Sequence, residues 1–476
     1  MKRLLCMILA GLMLLTAAAC TADSIPQLEI PTDAPSLPSA VTEAETTPEP
    51  EATPEPSEAP ADESPAEEPV PVPLSPIPID NPPIDLTDPV KPIFETEGTE
   101  ITVDGYSDFT NLLSAAILSG TQNRNLSPIS VYLALAMVAE GAENETKAEL
   151  LALLGCKDLK ELRGVCGAML ETLIIDDEKT GSTVDIQNSL WMADKIAGEK
   201  VTFRDSFLKA LSETYRSEAN TVEFGTQSAK RQIADWITNN THGKIKVSPD
   251  ALEFDPATLA VLINTIYLKA GWQDTFSPEN TETGTFYTPD GETDVRYMNR
   301  FDRNGVVRQG DGWIAYRVWL NRVGYVTFVL PDEGVELSKL LGTPDAIDKL
   351  LHAGYNKNFN VSLKIPKFKF QDKMELTEIL EAIGLRQSFT PGADFSGMSD
   401  MPCCINSVIQ ESFIGVDENG VEAAAYTMIS MKATGFSPVE LERLDFHLTR
   451  PFFYAIESKD GQVLFIGTVT NPGMGE

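Results

Sequence analysis

Periodic apolar patterning is confined to residues 101–476, where helical and strand signals alternate without an internal repeat. Ser127-Pro128-Ile129-Ser130-Val131-Tyr132-Leu133-Ala134-Leu135-Ala136-Met137 sets a serine and an early proline before an almost continuously apolar run. The spacing predicts a buried core helix, with Ser127 capping it as one reading. Amphipathic helical stretches follow at Phe203 to Tyr215 and Ala229 to Asn239. Strand-like runs occupy Leu259 to Leu268 and Tyr325 to Leu330, and a closing hairpin runs from Phe452 to Val469 through Lys459-Asp460-Gly461. Long connections mix both types, which predicts an α+β fold with large sheets.

One segment fits both periods. Phe413 to Asp417 reads as a strand and Glu418-Asn419-Gly420 as a turn. The residues after Gly420 favour a helix on propensity. On period two they form a strand with Val421, Ala423, Ala425, Thr427, Ile429 and Met431 on one face, all small or apolar, and Glu422, Ala424, Tyr426, Met428, Ser430 and Lys432 on the other. A chain exposed in one state and inserted into a sheet in another needs such a face. A surface helix or loop without a special role is the plainer reading of this segment alone.

The rest of the chain reads differently. Lys2 and Arg3 precede an apolar run from Leu4 to Ala19, too short to span a bilayer comfortably, and then Ala17-Ala18-Ala19-Cys20. This start resembles a bacterial lipoprotein signal in which Cys20 becomes the lipidated first residue, with Ala17 where leucine is usual; an ordinary secretory signal is the alternative. Either implies an exported, extracellular protein, held at the surface by a lipid on Cys20 or released. Residues 21–100 hold 19 of the 32 prolines and 19 acidic residues against one basic residue, Lys91. They cannot bury enough apolar surface to offset their ordering entropy, so they are expected to form a disordered stalk. About 75 such residues reach at most roughly 230 Å at about 3.1 Å each. The expected organisation is a signal over 1–20, a stalk over 21–100 and one domain over 101–476.

Composition narrows the chemistry. The net charge of −34 disfavours nucleic acid as a partner. His242, His352 and His447 are the only histidines, and without an HExxH or paired CxxC no metal or cofactor is expected. No GxGxxG, Walker or GxSxG motif occurs, and the histidines lie in no recognisable triad context, so the pattern leans away from an enzyme. Cys156, Cys166, Cys403 and Cys404 are too few and irregular for a disulfide framework, so the domain must stand on its core.

The strings SPISVYLALAM, EGAENETKAELLALLG, WITNNTHGKI, NTIYLKAGW, IPKFKF, ADFSGMS, DENGVEAAAYT, RPFFYAI and VLFIGTVTNP occur in this order between about Tyr106 and Pro472. In sequence and order they resemble the motifs of the serpin family. The resemblance implies three sheets, eight or nine helices and an exposed reactive-centre loop, with no catalytic residue of its own. It implies a monomeric inhibitor that traps a target serine protease as a covalent acyl-enzyme while the cleaved loop inserts into the central sheet. Loop insertion in serpins is a standard example of strand addition and switching. A non-inhibitory relative, cut only as a substrate, would share the same motifs.

Residue by residue, the resemblance implies a hinge at Glu418, Gly420, Val421, Glu422, Ala423, Ala424, Ala425 and Thr427, with Gly420 as its flexible glycine. Tyr426 stands where a small residue is more usual, on the outward face. Ser127, Ser130 and Asn264 correspond to the polar cluster around which the sheet opens. Gln410 replaces its frequent histidine, keeping hydrogen-bonding capacity and losing pH sensitivity. Trp272 corresponds to the tryptophan where the loop enters, and core packing is its plain alternative. The fourteenth residue after the hinge glycine is Thr434, which makes Thr434-Gly435 the expected scissile bond and an elastase-like or subtilisin-like enzyme the expected target. Ala433 and Lys432 are the alternatives, Lys432 implying a trypsin-like target.

Overall fold

The computed structural model describes residues 105–421 and 441–475, which form nine α-helices and three sheets. The largest sheet runs in the order β1 (Arg124–Leu126), β18 (Val463–Val469), β17 (Phe452–Ser458), β11 (Gly324–Pro331), β10 (Trp313–Trp319), β9 (Gly291–Gly310), β12 (Tyr355–Pro366) and β16 (Arg443–His447), with β8 (Glu282–Thr288) beside β9. β11, β17 and β18 are buried along their whole length, as their unbroken apolar runs require. Aromatic rings fill the space beneath: Phe452 meets Phe286, Phe328 and Phe368 edge-on, with centroids 5.9–6.5 Å apart.

The seven-stranded sheet runs β13 (Phe368–Glu375), β14 (Ile409–Val416), β15 (Gly420–Val421), β7 (Ala260–Gly271) and β3 (Ser182–Ala193), with β2 (Ile175–Asp177) and β6 (Glu218–Val222) along the outer edge of β3. β4 (Lys195–Ile196) and β5 (Glu199–Lys200) form the third, a two-stranded ribbon. The helices are α1 (Tyr106–Leu118), α2 (Pro128–Ala139), α3 (Asn144–Leu153), α4 (Leu159–Leu173), α5 (Asp205–Tyr215), α6 (Gln227–Asn240), α7 (Leu337–Leu341), α8 (Ala346–His352) and α9 (Thr377–Ala382). α2 packs against β7 and β18, which ties both large sheets to one core. No helix among the described residues is long and apolar enough to cross a membrane.

The expected strands and amphipathic helices fall within a few residues of their places, and the hairpin turns at Gly461 with φ 82°. Capping by Ser127 does not occur. Its backbone is extended at the N-cap of α2, but its hydroxyl donates to the Leu464 carbonyl at 2.9 Å. That end of α2 is pressed against β18, so the side chain serves a tertiary partner instead of the helix.

Candidate functional site

β15 pairs antiparallel with both of its neighbours, so β14 and β7 are parallel to each other with one antiparallel position between them. β15 fills only the top of that position. Gly420 and Val421 pair with Gly271 and Ala270, and Val421 also pairs with Val416. Below them no strand among the described residues lies between β7 and β14. A narrow cleft, with about 30 Å³ of free volume, lies under Val421. Ile266, Tyr267 and Leu268 line one side, Phe413, Ile414 and Gly415 the other, and Ile456 and Phe465 the floor.

The turn at the head of this cleft is held by several bonds. The Asp417 amide donates to the Gly420 carbonyl at 3.0 Å, closing the turn between β14 and β15. The Trp272 backbone amide donates to the Asn419 carbonyl at 2.9 Å, and its indole Nε1–H to the Asp417 carbonyl at 2.8 Å. The Trp272 ring also packs edge-on against Phe276, so it grips the turn and fills the core at once. The Glu418 carboxylate lies 2.8 Å from Lys367 Nζ and accepts from the Thr281 hydroxyl at 2.8 Å. Burial opposes its charge, yet the Lys367 ammonium and these hydrogen bonds hold its carboxyl below the usual carboxylate range.

Gly420 is needed here for close approach. A Cβ at this position would stand 2.1 Å from the Ala270 carbonyl oxygen, and its φ is not in the left-handed region. Val421 is buried and points inward.

A polar cluster lies further down the two strands that border the cleft. The Gln410 side chain clamps the Ser127 backbone, accepting from its amide at 3.1 Å and donating to its carbonyl at 2.8 Å. The Ser130 hydroxyl donates to Asn264 Oδ1. The Asn264 amide donates to Asn188 Oδ1 at 2.8 Å, and that of Asn188 to the Tyr215 carbonyl at 2.7 Å. Gln410 and Asn264 stand on β14 and β7, the two strands bordering the cleft, and Ser127 and Ser130 at the start of α2. Asn188 was missed from the sequence. Its signal was an asparagine within the strand pattern of 182–193, opposite Asn264 on β7.

Glu422, Ala423, Ala424, Ala425, Tyr426, Thr427, Lys432, Ala433, Thr434, Gly435 and Cys20 lie outside the described residues. The histidines are dispersed. His352 ends α8 and His242 follows α6. His447 Nε2 lies 3.2 Å from Ser362 Oγ and 4.0 Å from Asp445 Oδ1. Both partners meet the same ring nitrogen, so the carboxylate cannot orient the ring from the opposite side as a nucleophile–base–acid relay requires.

The sequence matches the Serpin family model, described as serine protease inhibitor, over residues 105–472. It is 32% identical over 373 residues to alpha-1-antitrypsin of Meriones unguiculatus, covering 74% of this chain and 86% of that protein. It is 29% identical over 372 residues to Serpin-Z1C of Triticum aestivum, covering 74% and 91%. Among solved structures, the native state of the thermophilic serpin tengpin is similar with a TM-score of 0.67 at 27% identity, covering 78% of this chain and 96% of that one.

Proposed function

The chain belongs to the serpin family, whose members are generally serine protease inhibitors rather than catalysts, and on that premise we propose that it traps a serine protease by inserting residues after Val421 between β7 and β14. The observation that supports this reading is the antiparallel position below β15 that no strand among the described residues fills, with Gly420 and Val421 at its upper end.

The two pairings of Val421 set the register of an inserted strand. Continued downward from the pairs of Val421, an inserted strand would bring residue 423 opposite Leu268 and Ile414, and residue 427 opposite Asn264 and Gln410. Leu268 and Ile414 are buried, so Ala423, Ala425 and Thr427 would face inward, and the Thr427 hydroxyl would meet the polar cluster. Roughly ten ladder positions, each worth about 0.5–1.5 kcal/mol net per hydrogen bond, gain on the order of 10 kcal/mol before burial. The intact state is then a kinetic trap.

In the reaction the protease serine attacks the Thr434 carbonyl and the Gly435 amine leaves with the transferred proton. The ester left on Thr434 travels with the inserting strand, away from the water that would cleave it. Small residues before the bond suit an elastase-like or subtilisin-like pocket. Lipid on Cys20 and the acidic stalk would hold the inhibitor outside the cell, away from the membrane.

The full chain, mixed with a panel of serine proteases, is expected to give an adduct that survives denaturing electrophoresis. Cleaved product alone with every enzyme would mean a substrate instead of an inhibitor. Mass spectrometry should find a released peptide beginning at Gly435; one beginning at Ala433 would transfer the assignment to Lys432.

A further inference from the structure

Away from the strand-insertion cleft, a larger cavity of about 420 Å³ opens where α3, α4 and α5 all begin. Its volume falls within the roughly 300–1,000 Å³ usual for small-molecule sites. Leu159 and the buried Phe207 give it an apolar wall, and Lys147, Arg163 and Arg204 give it cations. Ser396 and Gly397 close the remaining side. That segment is fixed to a helix on either hand, since the Glu143 amide donates to the Asp394 carbonyl at 2.8 Å and the Arg204 amide to the Met398 carbonyl at 2.9 Å. A Cβ on Gly397 would stand 3.0 Å from the Gly141 carbonyl oxygen, so glycine lets the wall lie close against the turn between α2 and α3. The cavity is therefore built into the fold.

Its three cations are unequally committed. Arg163 donates from Nε and Nη2 to the fully buried Glu140 carboxylate, at 2.9 and 2.6 Å, and the Tyr215 hydroxyl donates to the same carboxylate at 3.0 Å. These bonds fix the guanidinium and spend the charge of Glu140. Lys147 meets Glu143 at 2.7 Å, a one-turn helical pair worth little in water. Arg204 donates from Nε to the Ser396 carbonyl and from Nη2 to Asp400, whose side chain is 84% exposed and so binds it weakly. Among the described residues, Nη1 of Arg163 and Nη1 of Arg204 have no partner. With Glu140 and Glu143 set against the three cations, the lining carries one net positive charge, on a chain whose net charge is −34.

Arg204 is also the N-cap of α5, an eleven-residue helix, and makes no side-chain cap bond there. A cation is the wrong charge for a helix N-terminus, which favours an anion. We propose that this cavity binds a small organic carboxylate, its anionic group held by Arg204 and Arg163 at the head of α5 and its apolar body against Leu159 and Phe207. A single uncompensated positive charge suits a monoanion better than a phosphate dianion, and the planar guanidinium fork matches a carboxylate. The apolar wall asks for more than a bare ion. The site does not depend on strand insertion, since none of its lining residues borders the cleft.

The test uses the full chain with 4-phenylbutyrate as the probe, its uncharged amide and inorganic phosphate beside it, read by calorimetric titration and by Tm. The acid is expected to bind and to raise Tm, less so as salt is added, while the amide and phosphate do neither at the same concentration. Arg204→Gln should weaken binding about fivefold, the loss of one partly exposed charge contact. Because Arg204 also ties down the 396–400 segment, Ser206→Trp is the second variant. It fills the cavity from an exposed position, keeps every charge, and should abolish binding while Tm without the probe stays unchanged. The site is overturned if neither 4-phenylbutyrate nor aryl and alkyl carboxylates of similar size bind at millimolar concentration, or if both variants bind as the unaltered chain does. It is overturned equally if the amide binds as tightly as the acid, which would leave the cations no role, or if phosphate does, which would leave the apolar wall none. Protease trapping should be the same in Ser206→Trp and the unaltered chain, so the site and the insertion reading fail separately.

Discussion

The two large sheets share a core yet treat their hydrogen-bonding capacity in opposite ways. In the nine-stranded sheet β11 lies between β10 and β17, and β17 between β11 and β18, each laddered on both sides and buried throughout. In the seven-stranded sheet β7 and β14 are also interior strands. Yet among the described residues each lacks a partner on its inner side below β15, and Val261, Leu262 and Ile263 stay half-buried. The first sheet has already realised its ladder and burial energy. In the second, among the described residues, part of both is left unpaired below β15, and on the proposed mechanism that is where an inserting strand would do work.

Cutting the chain within residues 422–440 is the strongest way to break that contrast. On the order of 10 kcal/mol gained over a domain of this size should raise Tm by on the order of 10 °C or more, read by calorimetry. Hydrogen exchange in β11 and β17 should barely change while β7 and β14 become protected. An unchanged Tm would mean that the second sheet stores nothing. Next in size is Thr427→Arg, which an inserted strand in the proposed register would bring opposite Asn264 and Gln410. Burying an unpaired cation there costs about 3–5 kcal/mol. The protein should then be cut as a substrate with no covalent adduct, and its Tm gain on cutting should shrink by a comparable amount.

Gly420→Val sharpens the comparison at the head of the cleft. Its Cβ would collide with the Ala270 carbonyl, so the intact chain should lose about 1–3 kcal/mol, seen in chemical denaturation. This residue also marks the boundary of what the sequence could tell. Family resemblance names Gly420 as a flexible hinge glycine, and the structure shows a separate demand for glycine there. Flexibility was expected, whereas the backbone runs too close to β7 for any side chain. The strands of the larger sheet were legible because apolar runs such as those in β11 and β17 are a local signal. The cleft is non-local, since it lies between strands brought together from distant parts of the chain, with Ala270 and Val416 both paired to Val421. Ser127 shows the same limit. Its type fitted a cap, and only the approach of β18 sends its hydroxyl to Leu464.

The smallest test sets one carboxylate from each sheet against the other. Glu418 has its carboxyl held below the usual range by Lys367 and its hydrogen bonds despite burial, so the folded state binds fewer protons than the unfolded one near pH 4. Its contribution is complete above the ordinary glutamate value of about 4.3 and fades as pH falls through the lower folded value. Glu457 of β17 is fully buried, and burial pushes its carboxyl up although Thr327 and Tyr325 donate to it and Arg317 lies 3.8 Å away. Its sign is reversed: its contribution is complete below about 4.3 and is lost as pH rises through the higher folded value. Glu418→Gln should therefore flatten the acid limb of a stability-against-pH curve, and Glu457→Gln should steepen it, each by about 1 kcal/mol. A steepening with Glu418→Gln as well would show that the turn is not held by the ionised Glu418. The head of the cleft would then owe its order to Trp272 and the backbone bonds alone.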